Sequence, residues 1–122
     1  MPLALCIVVA GKTTVLAASA FTLAWTHSVE KTRWEEDWRV TPAGLELVAA
    51  RVAGTGAGME IPDGAVLEGG VWTYRPDLPP QTALRLASSG ATGQGWELCA
   101  AGTCLTIGTE PGEPVEIGGC GG

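Results

Sequence analysis

Strand-like runs of four to eight residues recur at short intervals along almost the whole chain, and no segment carries a helical stripe of ten or more residues. The runs fall at about 4–10, 13–18, 20–29, 34–41, 44–52, 70–75, 82–87, 95–99 and 104–108. Turn-forming clusters separate them: Pro42-Ala43-Gly44, Gly54 to Gly58, Pro62-Asp63-Gly64, Pro76 to Pro80, and Ser88 to Gly95. This layout predicts an all-β chain, a single-domain antiparallel β-sandwich or small barrel. With 122 residues, eighteen of them Gly and eight Pro, there is material for one β-domain over 1–108 and no second domain. Residues 109–122, with Glu110, Glu113 and Glu116 among Gly and Pro, read as a flexible acidic tail.

Thirteen Asp and Glu against seven Lys and Arg give a formal net charge of −6, which repels phosphate backbones and argues against nucleic acid as a partner. Residues 2–25 hold one charge, Lys12, so an export signal has to be weighed. No basic residue precedes the apolar stretch Pro2 to Ala10, and Lys12 would interrupt any span. Two strands turned at Gly11-Lys12 are the better reading. As written the chain reads as cytoplasmic; an export segment upstream would make it periplasmic or membrane-anchored. Gly11-Lys12-Thr13 is no phosphate loop, because Cys6 stands where that motif needs glycine.

Cys99 and Cys104 flank Ala-Ala-Gly-Thr in a segment that reads as a hairpin closing between them, which would set their Cβ atoms face to face at disulfide distance. A disulfide and a pair of reduced, half-buried thiols are both compatible with that register. Zinc is the weaker reading, since the spacing is unusual and Cys6 and Cys120 would have to converge from the chain ends. No metal site and no cofactor is expected.

The segment from Phe21 to Arg51 carries the most information. Laid out as a meander, Phe21, Leu23, Trp25, His27 and Val29 share one face of the first strand, and Trp34, Glu36, Trp38 and Val40 one face of the second. A turn centred on Lys31-Thr32 would set Leu23 against Val40, Trp25 against Trp38, His27 against Glu36 and Val29 against Trp34. The turn Thr41-Pro42-Ala43-Gly44 would carry the same face onward through Leu45, Leu47, Ala49 and Arg51. The only histidine would then face a carboxylate on an apolar, Trp-lined surface, with Arg51 as a third polar member.

That arrangement has three readings. The face is a small-ligand site built from His27, Glu36, Trp25, Trp34, Trp38 and Arg51, with Gly58 and Met59 in a glycine-rich loop at its mouth. Alternatively His27 and Glu36 are an acid/base pair in a small enzyme. In the third reading the pair pins strand register in a structural or protein-interaction domain, and the glycine-rich loop merely connects sheets. A Ser–His hydrolase is excluded, because Ser28 and His27 are strand neighbours and point to opposite faces. Catalytic residues are therefore not assigned.

Thr26-His27-Ser28-Val29-Glu30-Lys31-Thr32, then Trp34-Glu35-Glu36-Asp37-Trp38-Arg39 and Gly56-Ala57-Gly58-Met59-Glu60, resemble the small bacterial domain-of-unknown-function family numbered eighteen-fifty. The resemblance runs from Cys6 to about Ile107. It implies an association with TRAP-type transporters of the TAXI class, which take up organic anions. The partner it implies is a transporter component or a small organic anion. It implies no reaction. Many members have an N-terminal export or anchor segment, in contrast to the two-strand reading of 4–18 here, and a paired-cysteine feature similar to the Cys99–Cys104 hairpin. The function expected is thus an accessory or small-ligand-binding β-domain linked to such a transporter.

Overall fold

Alternating apolar residues make each strand a two-faced ribbon, and burial of one face against another requires two layers. The computed structural model describes residues 3–26, 33–53, 64–88, 95–109 and 111–121, and among these it contains strands and no helix. In chain order the strands are β1 (Leu3–Val9), β2 (Lys12–Leu16), β3 (Ala20–Thr26), β4 (Arg33–Thr41), β5 (Gly44–Ala53), β6 (Val66–Glu68), β7 (Val71–Tyr74), β8 (Ala83–Ser88), β9 (Trp96–Ala100), β10 (Thr103–Ile107) and β11 (Gly112–Gly121). A four-stranded sheet runs β2-β1-β11-β8 and a seven-stranded sheet runs β10-β9-β3-β4-β5-β7-β6, all pairings antiparallel. The sheets pack face to face and do not close into a barrel, so the fold is a β-sandwich.

Between the sheets, Leu5, Ile7, Leu86, Val115 and Ile117 of the small sheet meet Phe21, Leu23, Trp38, Val40, Leu45 and Leu98 of the large one. The hairpin turns at Ala10-Gly11 and Ala101-Gly102 have positive φ at both central residues, the geometry that matches the twist of two-residue hairpins. The first turn therefore lies one residue earlier than the Gly11-Lys12 position the sequence suggests.

The end of the chain is the main correction to the expected architecture. Residues 112–121 are not an unpacked tail but β11, which lies between β1 and β8 in the middle of the small sheet. Val115 and Ile117 are wholly buried, while Glu113 and Glu116 face out. Two apolar residues at alternate positions suffice to seat the strand once both its neighbours are present. Gly119 allows the sheets to approach closely: a Cβ there would lie 3.0 Å from Val40 Cγ1. Cys120 of β11 is disulfide-bonded to Cys6 of β1, with Cα atoms 5.9 Å apart, so the two chain ends are tied within the small sheet. β6 was also not foreseen; its three exposed residues carry no burial pattern to read.

Candidate functional site

The β3–β4 pairing keeps the expected faces but not the expected partners. Leu23 opposes Glu36 rather than Val40, Trp25 opposes Trp34 rather than Trp38, and Phe21 takes Trp38. The slip is by an even number of residues, so no side chain changes face. Lys-Thr is poorly suited to a two-residue turn, and the observed register leaves 27–32 as the connection. Apolar residues still meet apolar partners: Phe21 stacks on Trp38 with centroids 6.3 Å apart, and Trp25 stacks on Trp34 at 6.1 Å. The cross-strand pairing of His27 with Glu36 is overturned, because Leu23 takes the place opposite Glu36. His27, Gly58 and Met59 themselves lie outside the described residues.

A bulge in β5 overturns the expected place of Arg51. Trp38 faces Leu47 but Asp37 faces Ala49, so Val48 is an extra residue and every later side chain of β5 changes sides. Ala50 and Val52 turn inward, and Arg51 turns to the outer face opposite Glu35. There Arg51 donates from Nη1 and Nη2 to the two oxygens of Asp37 at 2.6 and 2.8 Å, and from Nε to Glu35 at 3.1 Å. Thr22 Oγ1 donates to Asp37 at 3.0 Å, and Arg33 bridges Glu35 and Glu97 at 2.9 and 3.0 Å. The Arg51 guanidinium holds the Asp37 carboxyl below its ordinary value. At Glu35 partial burial pushes the carboxyl up, and the hydrogen bonds from Arg33 and Arg51 outweigh it, leaving it lowered. This is a solvent-facing charge network across β9, β4 and β5 that offers no free cation to an anionic ligand.

The inner face at the Trp25–Trp34 end of the large sheet has the opposite character. Register aligns Trp25, Trp34, Val52 and Trp72 in one row across β3, β4, β5 and β7, and Leu23, Glu36, Ala50 and Tyr74 in the adjacent row. Trp96 packs against Trp25 with centroids 5.1 Å apart, its indole N–H donating to Ala87 O at 3.1 Å. Trp25, Trp34, Trp72, Tyr74 and Trp96 are all half-buried. Trp38 differs: at 4% exposure it belongs to the core, and its Nε1 donates to Glu36 Oε1 at 3.1 Å. Burial pushes the Glu36 carboxyl up from its ordinary value, opposed only in part by the Trp38 hydrogen bond. Desolvation, and then the charge of Glu36, raise Tyr74. Among the described residues no arginine or lysine pairs with Glu36, and the buried Nε1 of Trp34 has no acceptor.

Thus the structure brings Trp25, Trp34 and Glu36 together, assigns Trp38 to the core edge of that group, and removes Arg51 to the other side. Trp72, Tyr74 and Trp96 were not foreseen as part of it. Their signal was the alternation in Val71-Trp72-Thr73-Tyr74 and the position of Trp96 in the hairpin strand beside β3. The acid/base reading loses the facing pair on which it stood. Cys99 and Cys104 are disulfide-bonded across β9 and β10, opposite one another as the hairpin register implies. With Cys6 and Cys120 also bonded to each other, zinc has no thiolates, and among the described residues no three His, Cys, Asp or Glu side chains converge on a metal position.

No curated protein and no solved structure matches the chain. One family model does, over residues 21–107, which runs from the start of β3 through β10 and so takes in the whole large sheet and β8. The match covers every described residue of the aromatic face and leaves out β1, β2 and β11, three of the four strands that cover the core. Since it spans well over half of the sequence, the chain belongs to the family described as Domain of unknown function (DUF1850).

Proposed function

We propose that the protein is a non-catalytic recognition domain that binds a small organic solute on the inner aromatic face of its large sheet and serves a TRAP-type transporter. The observation that carries the binding reading is the concentration of half-buried Trp25, Trp34, Trp72 and Tyr74 around a carboxylate that has no described counter-ion. A face built only for stability would bury apolar side chains in that position, since a half-buried unpaired carboxylate costs free energy. The transporter as working partner is supported by the family resemblance alone, which associates such chains with TAXI-class systems. Two disulfides support maturation in an oxidising compartment, where such a solute is met before uptake.

Native mass spectrometry of the disulfide-bonded chain with a panel of small amines, carboxylates and sugars tests the reading. The expected result is a one-to-one adduct that is lost on denaturation and weakened at least about tenfold, or about 1.4 kcal/mol, in Trp34→Ala. Arg85→Ala, at an exposed position of the small sheet, should leave the adduct unchanged. No adduct from any class, or equal adducts in the Trp34→Ala chain, contradicts the reading and favours a structural role for the face.

A further inference from the structure

The recognition reading leaves the ligand's chemistry open, and the inner face narrows it. On β5 the small residues Ala50 and Val52 are buried at 3% and 0% exposure, yet neither belongs to the core cluster enclosed between the two sheets. They lie in the two rows of the inner face that also carry Trp34, Glu36, Trp72 and Tyr74. Larger side chains rise on both flanks: Trp34 and Glu36 from β4, Trp72 and Tyr74 from β7. Among the described residues this zone has aromatic walls and one acid, and two of its polar atoms bear on a ligand. Glu36 Oε1 accepts from Trp38 Nε1, while no described donor meets its second oxygen. Trp34 Nε1 is a buried donor without a described acceptor.

Charge then decides between ligand classes. Each described arginine of β4 and β5 is committed elsewhere: Arg33 to Glu35 and Glu97, Arg39 to Glu46, and Arg51 to Asp37 and Glu35. An anion placed on the inner face would meet the Glu36 carboxylate with no β4 or β5 arginine free to offset it. A neutral ligand would leave the carboxylate uncompensated in apolar surroundings. A cation removes that cost, and the faces of the aromatic rings attract it further. The protein's formal charge of −6 favours the approach of a cation as well.

We infer that the face binds an organic cation: an ammonium group held between Glu36 and the rings of Trp34, Trp72 and Tyr74, with a hydrogen-bond acceptor elsewhere on the same molecule meeting Trp34 Nε1. The inference rests on the recognition reading. A solute that carries both an ammonium and a carboxylate satisfies it, with the carboxylate as the acceptor; a simple organic anion does not.

Choline and 3,3-dimethylbutan-1-ol, its neutral carbon isostere, separate charge from shape. Each is titrated into the intact disulfide-bonded chain and followed by indole fluorescence, with succinate as the anionic probe. Choline should saturate the signal at least about tenfold more tightly than the isostere, and succinate should not saturate it. Glu36→Gln should abolish the preference for choline over its isostere without lowering the melting temperature, because the substitution removes a half-buried charge and keeps the shape. Equal binding of choline and isostere, an unchanged preference in the Glu36→Gln chain, or tighter binding of succinate each overturns the inference. Succinate binding that is weakened in Trp34→Ala would overturn the cation while leaving the recognition reading standing. If no probe saturates the signal the cation is overturned, and the panel experiment decides the recognition reading separately.

Discussion

Replacing both Cys6 and Cys120 with alanine should lower the melting temperature by on the order of 15 °C, the largest effect expected of any covalent change to this chain. The bond joins residues 114 apart, so in the unfolded chain it removes nearly all the freedom of the two ends. The chain-entropy relation puts this at about 4 to 5 kcal/mol, a large share of the roughly 5 to 15 kcal/mol that stabilises an ordinary domain. Its position adds to the effect. β11 is held by β1 on one side and β8 on the other, and only Val115 and Ile117 bury apolar side chains deeply from it. Losing the tie exposes the small sheet to fraying from both termini at once. Cys99 and Cys104 are only five residues apart in a hairpin already closed by a tight turn, and the same relation gives about 2 kcal/mol. Thermal unfolding of the two double-alanine chains under non-reducing conditions checks this. Equal losses, or a larger loss at the hairpin, would show that the chain ends are not held as described.

Gly44→Ala should cost about 3 kcal/mol or more, which urea unfolding would report as a lower midpoint with an unchanged slope. Gly44 has φ +127, a conformation that a residue with a Cβ rarely adopts. An added Cβ would lie 2.5 Å from the carbonyl oxygen of Gln81 and 3.1 Å from its carbon. Those are backbone atoms and cannot swing away. The same carbonyl accepts from Leu45 N at 2.7 Å, and Gln81 N donates back to Leu45 O at 2.8 Å. The substitution therefore sets a steric clash against the bridge that fixes the start of β5. Leu45 is wholly buried beside that bridge, so displacement there reaches the core directly. Gly11→Ala is the control: φ is +80, but a Cβ would meet nothing within 4 Å, and the cost should be limited to the backbone strain of about 1 to 2 kcal/mol. Equal costs at the two positions would contradict the close approach at Gly44.

Much of the sandwich was legible in the sequence because period-two alternation reports faces directly. Phe21, Leu23, Trp25, Trp34, Trp38, Val40 and Leu45 all lie on the side their positions imply. Partners were less legible. Any even slip between β3 and β4 satisfies the same alternation, and the stacking of Trp25 on Trp34 rather than Trp38 depends on the length of a connection that carries no strong turn residues. The bulge at Val48 was not legible at all. Val48 is one apolar residue among several in Leu45 to Val52, and only the pairing with Asp37 and Trp38 shows it to be extra. Its consequence is chemical, since it moves Arg51 from the acid it was expected to accompany to a different pair of acids on the far side of the sheet. The terminal strand was misread for a compositional reason: Gly, Pro and Glu outweigh Val115 and Ile117 in any window, and the paired cysteine at Cys120 has meaning only when Cys6 is set beside it.

Three consecutive acids of β4 occupy two different environments: arginine neutralises Glu35 and Asp37 outside, while Glu36 lies inside among aromatic side chains, hydrogen-bonded by Trp38 and with no counter-ion among the described residues. A pH titration of their side-chain carboxyl carbons by NMR tests this most directly. Glu36 should titrate above the ordinary glutamate range, because burial disfavours its charged form, while Asp37 and Glu35 titrate below the ranges usual for their types. Choline should move the Glu36 midpoint downward and leave the other two in place. A Glu36 midpoint at or below the ordinary value would mean that a cation already accompanies it, and an unshifted Asp37 would mean that Arg51 is not on the outer face; either result contradicts the site as described.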